Sequence, residues 1–229
     1  MRILSINQDY ILDDETIQLI SIKENELDTL TNLDFDYCYI SGGDGTIRRS
    51  VSFFFENGKN PIYIFNSNGS FNMLEKLLKL KKQRKQLICL DSLKEANIIK
   101  KEIYKINSKE FFLFSAGNSL DVLYIYFAEL LRFKALYKSA FRYLISFSLL
   151  LPAFLTLPFF LFSKRVFFFF DFKKNFALGN IFFDFKPFTI ENKSRFLMMQ
   201  LDGDIAIFKD EKLHFEIGGH IQIADFQNN

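Results

Sequence analysis

The sequence predicts two domains of different class: an α/β domain with a parallel sheet over residues 1–100, and an antiparallel, β-rich domain over 101–229. Three observations carry this. Short apolar runs alternate with helical stretches through the first hundred residues, the pattern of a parallel sheet with crossover helices. From Lys101 onward strand-like runs follow one another directly, with turn signals at Asn107-Ser108, Asp202-Gly203 and Gly218-Gly219. The third is an interruption of that series: residues 121–163 read as a hydrophobic helical insertion in the second domain.

Taken in order, the first domain is expected to hold strands at 2–6, 19–22, 35–41, 61–66 and 87–90. Helices are expected at 28–33, 47–57 and 70–82, with Gly58 placed to stop the second of them. In the second domain the strand pattern recurs at 103–107, 111–116, 166–172, 181–185, 196–201, 205–208, 213–217 and 221–223. The phenylalanine run 167–170 is too short to span a bilayer and reads as a buried strand.

Composition excludes several classes of function. The chain has 229 residues with 29 basic and 27 acidic side chains, so a net charge of +2 gives no general attraction to nucleic acid, and none is expected as a partner. Cys38 and Cys89 are the only cysteines, too few for a disulfide scaffold, and His214 and His220 cannot make a histidine-rich metal centre. The start, Met1 to Tyr10, lacks the basic and apolar regions of a secretory signal, which points to the cytoplasm or the cytoplasmic face of a membrane. The 31 phenylalanines fit either an AT-rich genome or a surface that touches lipid.

The insertion holds the most unusual composition. Between Arg142 and Lys164 lie 21 residues without a charge, a helix of roughly 31 Å if continuous. Pro152 and Pro158 interrupt it, and Arg132, Lys134, Lys138, Arg142, Lys164 and Arg165 flank it. Three arrangements are open: a helix dipping into one leaflet, a buried core helix, or a full span.

The chemistry is concentrated in one string. An apolar strand runs into Ser41-Gly42-Gly43-Asp44-Gly45-Thr46, and a helical stretch follows. Glycines let a backbone turn tightly and approach phosphate oxygens, while a helix N-terminus presents N–H groups with no partner of their own. Asp44 is suited to orient a magnesium ion or a hydroxyl beside such phosphates. An ordinary strand-to-helix turn also uses Gly and Asp.

With that string the sequence resembles the diacylglycerol kinase catalytic-domain family of lipid kinases, as a short and divergent member. Three further segments carry the likeness in order. Pro61 to Asn72 is similar to the family's nucleotide loop, with Gly69, Ser70 and Asn72 in its Gly, Thr and Asn places. Ser115 to Asp121 is similar to its Ala-Gly-x-Gly-x-Asp segment, and Leu201 to Asp204 to its Asp-Gly-Glu. The chain departs from the pattern in having Asn7-Gln8-Asp9 and no glycine before Gly42, Arg48 and Arg49 in the helix after the motif, and Ser119 for a glycine.

The resemblance implies an α/β nucleotide-binding domain, a β-rich, β-sandwich-like lipid-substrate domain, and transfer of the ATP γ-phosphoryl group to a lipid hydroxyl with magnesium. It places Gly42, Gly43, Asp44, Gly45, Thr46, Gly69, Ser70 and Asn72 at the nucleotide, with Asp44 at the metal. Asp121 falls to the lipid substrate, and Asp204, Asp202 and Asp44 to catalysis, with Asp204 replacing the family's Glu base. Diacylglycerol is the expected acceptor, and the enzyme is expected on the cytoplasmic membrane surface as a peripheral protein. A non-catalytic lipid- or nucleotide-binding descendant and a soluble NAD kinase are the alternatives. A single complete crossing by 143–163 would put Gly42–Thr46 and Asp202–Asp204 on opposite sides of a membrane, so a working site requires that stretch to dip or stay buried.

Overall fold

A computed structural model describes residues 1–12, 15–69, 72–80, 87–88, 90–107, 109–131, 141–154, 167–172, 177–178 and 181–226. Two compact units are present, one formed by Met1–Ile103 with Gly219–Asn229 and the other by Tyr104–Gly218.

The first unit contains β1 (Arg2–Ile6), β2 (Ile11–Leu12), β3 (Gln18–Ile22), a 3-10 turn at Glu24–Thr29 and β4 (Tyr37–Gly42). Then come α1 (Asp44–Glu56), β5 (Ile62–Ser67), α2 (Met73–Leu78), β6 (Leu87–Ile88), α3 (Leu90–Glu95) and the start of β7 (Asn97–Ile106). Strands β1, β3, β4 and β5 are mutually parallel in the order β3-β1-β4-β5. Their apolar runs alternate little because a parallel sheet is covered on both faces. Ile3, Leu4 and Ile6 of β1 and Cys38, Tyr39 and Ile40 of β4 are all fully buried.

The second unit adds β8 (Glu110–Phe112), β9 (Ser115–Asn118), α4 (Leu120–Leu130), α5 (Phe141–Phe154), β10 (Phe168–Phe170), β11 (Ala177–Leu178) and β12 (Ile181–Phe182). It continues with β13 (Phe188–Glu191), β14 (Leu197–Leu201), β15 (Asp204–Phe208) and most of β16 (Lys212–Asp225). One sheet runs β11-β12-β10-β9-β14-β15, antiparallel except between β10 and β12. The pairs β7–β8 and β13–β16 are also antiparallel. Phenylalanine fills the core of this unit: Phe112, Phe167, Phe169, Phe208 and Phe215 are buried, and Phe188 stacks on Phe215 at 4.3 Å between ring centroids. That gives the phenylalanine excess a packing role in addition to the two causes weighed above.

The mixed α/β class and the two-part architecture match the expectation, and several elements differ. Gly218-Gly219 is no turn. One strand, β16, runs through it and pairs in parallel with β5 through Gln222 and Ile223, so the segment 221–223 adds a strand beside β5. Gly219 sits at φ +145, and a Cβ there would lie 2.7 Å from Phe55 Cζ. The glycine makes room for a ring. The helix expected at 28–33 is instead the 3-10 turn at Glu24–Thr29, and 111–116 splits into β8 and β9 at Leu113 and Phe114. Within the insertion α4 and α5 are helical, Pro152 lies inside α5, and residues 155–163 fall outside the described set. No described helix is long and apolar enough to cross a membrane.

Candidate functional site

The glycine motif lies where β4 turns into α1, at the carboxyl end of a parallel strand, where open α/β sheets bind ligands. Gly43 is the N-cap of α1 with extended backbone, and Asp44, Gly45 and Thr46 form its first turn. The first intrahelical bond is from Ile47 N–H to Gly43 O at 3.1 Å. The N–H groups of Asp44, Gly45 and Thr46 therefore precede the ladder and carry the positive end of the helix dipole.

The second loop is pressed against the first. Asn68 N–H donates to Gly42 O at 2.9 Å, and a Cβ on Gly69 would fall 2.6 Å from Gly43 Cα. A Cβ on Gly42 would stand 2.6 Å from Thr46 Cβ. Glycine at 42 leaves room for the Thr46 side chain, and glycine at 69 lets its backbone meet that of Gly43. Asn72, in left-handed conformation at φ +49, donates from Nδ2 to Ser67 O at 3.2 Å. Its buried Oδ1 has no hydrogen-bond partner among the described residues, so an acceptor stands ready for a hydroxyl or amine donor. Ser70 lies outside the described residues.

Asp44 joins the loops from the other side. Its Oδ2 accepts from Met73 N–H at 2.8 Å and its Oδ1 from Leu74 N–H at 3.2 Å, so it caps α2. Burial raises its carboxyl above the ordinary value, against the lowering effect of those two bonds. Each oxygen keeps a lone pair, and magnesium at a nucleotide typically takes one or two carboxylates with the remaining positions filled by phosphate and water. The loop pair and Asp44 fit that small protein share of a phosphate-bound ion.

Five residues given no role from the sequence surround the strand ends. Gln8 Oε1 accepts from Ser41 Oγ at 2.7 Å and from Asn66 Nδ2 at 2.8 Å, while Asn66 also donates to Tyr10 Oη at 3.2 Å. Asn7, at φ +64, donates to Ser41 O at 3.2 Å and accepts from Glu24 N–H at 2.9 Å. The segment Asn7-Gln8-Asp9 thus braces the end of β4. Beside it lies an open depression of about 550 Å³ lined by Asn7, Lys23, Glu24, Arg49 and Phe53 among others. Arg49 is paired with Glu24 at 2.5 Å, whereas Arg48 is buried.

The other predicted residues lie in the second unit. Asp202 and Gly203 make the two-residue turn between β14 and β15, at φ +50 and +94, the signs of a type I′ hairpin. Asp202 is buried and its carboxylate accepts three backbone N–H groups: Leu113 at 2.5 Å, Phe114 at 2.9 Å and Ser115 at 2.8 Å. It holds the corner between β8 and β9. Asp204 opens β15 opposite Leu201 and is partly exposed.

Asp121, in the first turn of α4, tucks against β9: a Cβ on Gly117 would lie 2.4 Å from its Oδ2. With the Gln200 amide oriented by its neighbours, Nε2 donates to Asp121 Oδ2 at 2.7 Å, and Oε1 accepts from Ser115 Oγ at 3.0 Å and Gly203 N–H at 2.5 Å. Burial pushes the Asp121 carboxyl up to about 7. The third and fourth motifs are therefore one hydrogen-bonded cluster, which their separation in sequence hides.

No family model matches the sequence, and no curated protein matches it. Among solved structures, a diacylglycerol kinase from Bacillus anthracis strain Sterne is similar with a TM-score of 0.52 over 98% of this chain and 96% of that one, at 10% identity. A second structure from the same strain, provisionally named a diacylglycerol kinase, is similar with a TM-score of 0.54 over 97% and 96%, at 12% identity. Over nearly its whole length, then, the chain has the fold of these diacylglycerol kinase structures.

Proposed function

We propose that the protein is an ATP- and magnesium-dependent lipid kinase that phosphorylates the hydroxyl of a diacylglycerol-like lipid at the cytoplasmic membrane surface. The fold likeness supports the class, and one observation carries the assignment to this chain. Gly69 meets Gly43 backbone to backbone, and Asn68 N–H donates to Gly42 O, so two strand-end loops touch beside the open first turn of α1. Bound ATP would supply the phosphoryl group, with magnesium offsetting phosphate charge. The N–H groups of Asp44, Gly45 and Thr46 would face phosphate oxygens, and Asn72 Oδ1 would accept from the nucleoside. Ser70 stays with the nucleotide loop by its place in sequence. Asp204 Oδ would take the proton of the acceptor hydroxyl as its oxygen bonds to phosphorus and the β–γ bridge opens. Asp202 holds the hairpin that presents Asp204, and Asp121 helps shape the acceptor side.

A second reading, a non-catalytic lipid- or nucleotide-binding protein, is favoured by one fact: both carboxylate oxygens of Asp44 and of Asp202 already hold backbone N–H groups. Transfer from γ-labelled ATP to a total lipid extract separates the two. The kinase reading expects a labelled lipid that needs magnesium, vanishes with Asp44→Ala, and forms slowly with Asp204→Asn at unchanged ATP affinity. No label from folded protein, with ATP or vesicle binding retained, decides for the second reading.

A further inference from the structure

We propose that Gln200 is a positioning residue that holds the turn leading into Asp204 and is itself held by Asp121, an inference that rests on the kinase reading above and adds the support of its base. Gln200 lies in β14 among Leu197, Met198, Met199 and Leu201, and it is 4% exposed. A buried amide is costly unless its donors and acceptor are met, so a glutamine in that apolar run is explained by its partners. Its carbonyl oxygen accepts from Gly203 N–H at 2.5 Å, Ser115 Oγ at 3.0 Å and Asp202 N–H at 3.2 Å, and its Nε2 donates to Asp121 Oδ2 at 2.7 Å. The reversed amide would set its oxygen against the carboxylate and its nitrogen against Gly203 N–H, so the neighbours leave one orientation.

The register makes the link specific. Gln200 pairs with Gly117 of β9 on one side and with Ile205 of β15 on the other. A Cβ on Gly117 would collide with the Asp121 carboxylate, so that carboxylate crosses β9 over the glycine to reach the amide. Leu201 pairs with Asp204 one step along the hairpin, so Gln200 meets the turn from the face of the sheet opposite to Asp204. Its link to Asp204 runs through the backbone of the turn. Both turn residues are clamped: the Asp202 carboxylate takes the N–H groups of Leu113, Phe114 and Ser115, and Gln200 takes that of Gly203. Asp204 follows directly, and a base misplaced by about 1 Å can lose about a hundredfold in rate.

Exchanging the two partners tests the link. Gln200→Met keeps the size and removes both polar ends, and should lower kcat about 10- to 100-fold in the labelled-ATP assay while KM for ATP and lipid stays within about twofold. Its Gly203 amide should exchange with solvent at least about fivefold faster by NMR. Gln200→Glu keeps an acceptor for Gly203 N–H but sets a carboxylate against Asp121, and should lower kcat as well. Combining Gln200→Glu with Asp121→Asn restores donor and acceptor with their roles exchanged, at the parent charge, and should recover most of the rate. That comparison stands even if Gln200→Met fails to fold. A double variant no faster than Gln200→Glu alone overturns the proposal and gives Asp121 to the acceptor itself. A parent-like kcat in Gln200→Met also overturns it, and removes only this inference. Parent protein that transfers no label removes the kinase reading and its base, and faster Gly203 exchange then marks a brace of structure alone.

Discussion

Two aspartates beside glycine turns, one in each unit, hold the backbone in similar ways under different exposure. Asp44 grips Met73 and Leu74, and Asp202 grips Leu113, Phe114 and Ser115, so each ties a distant segment to its own turn. Asp202 is 1% exposed with three donors around it, whereas Asp44 has two donors, one of them at 3.2 Å, and belongs to a partly open loop pair. In a burial that deep a carboxylate is a fixed part of the framework. At the surface of a loop the same arrangement positions a carboxylate while leaving it able to meet a ligand. A motif aspartate therefore declares its role by the water around it as much as by its partners.

The strongest way to break this comparison is to remove both carboxylates in turn. Asp202→Ala leaves three buried N–H groups without an acceptor and should cost about 4 kcal/mol in denaturant unfolding. Asp44→Ala should cost about 1 kcal/mol, the value of a helix cap. Equal losses would show that the two sites do not differ as described. Next, Gly69→Ala must push Gly43 away and should lower stability by about 2 kcal/mol while weakening ATP binding; a neutral variant in isothermal titration would remove the loop contact from the nucleotide site.

A third change sharpens the contrast through pH. The Asp121 carboxyl titrates at about 7 in the fold against 3.8 in an open chain. Between those values the unfolded chain has released a proton that the folded chain still holds, so this contribution to stability falls as pH rises from about 4 to about 7. Asp121→Asn should flatten that decline in melting temperature. The smallest effect has the opposite sign. Ser119 sits at φ +56 and ψ −107, a conformation suited to glycine, and Ser119→Gly should stabilise by about 1 kcal/mol.

The parts of this architecture that could be read from sequence are those where one residue reports its own surroundings. β1, β4, β5 and β14 are apolar runs with clear ends, and Gly42 and Gly69 mark close backbone approach whatever surrounds them. Asp202-Gly203 read as a hairpin and is one. What could not be read depends on pairing. Gly218-Gly219 looks like a turn, yet the strand continues because Phe55 occupies the space a side chain would fill. The Asn7, Gln8, Tyr10, Ser41 and Asn66 network spans about sixty residues, and none of its members is unusual alone. Charged Lys100, Lys101 and Glu102 hid the first half of β7, and burial, not type, separates Arg48 from Arg49.

The passage of β16 through both units has a consequence for how the chain is made. A ribosome delivers β5 early, but its partners Gln222 and Ile223 emerge only after the whole of Tyr104–Gly218. Until then β5 keeps an open edge, the kind of surface that invites pairing with another nascent chain. A fragment ended at Ile103 would keep that edge for good. Cutting the first unit out for separate study therefore means grafting Gly219–Asp225 back beside β5, as a circular permutation would do.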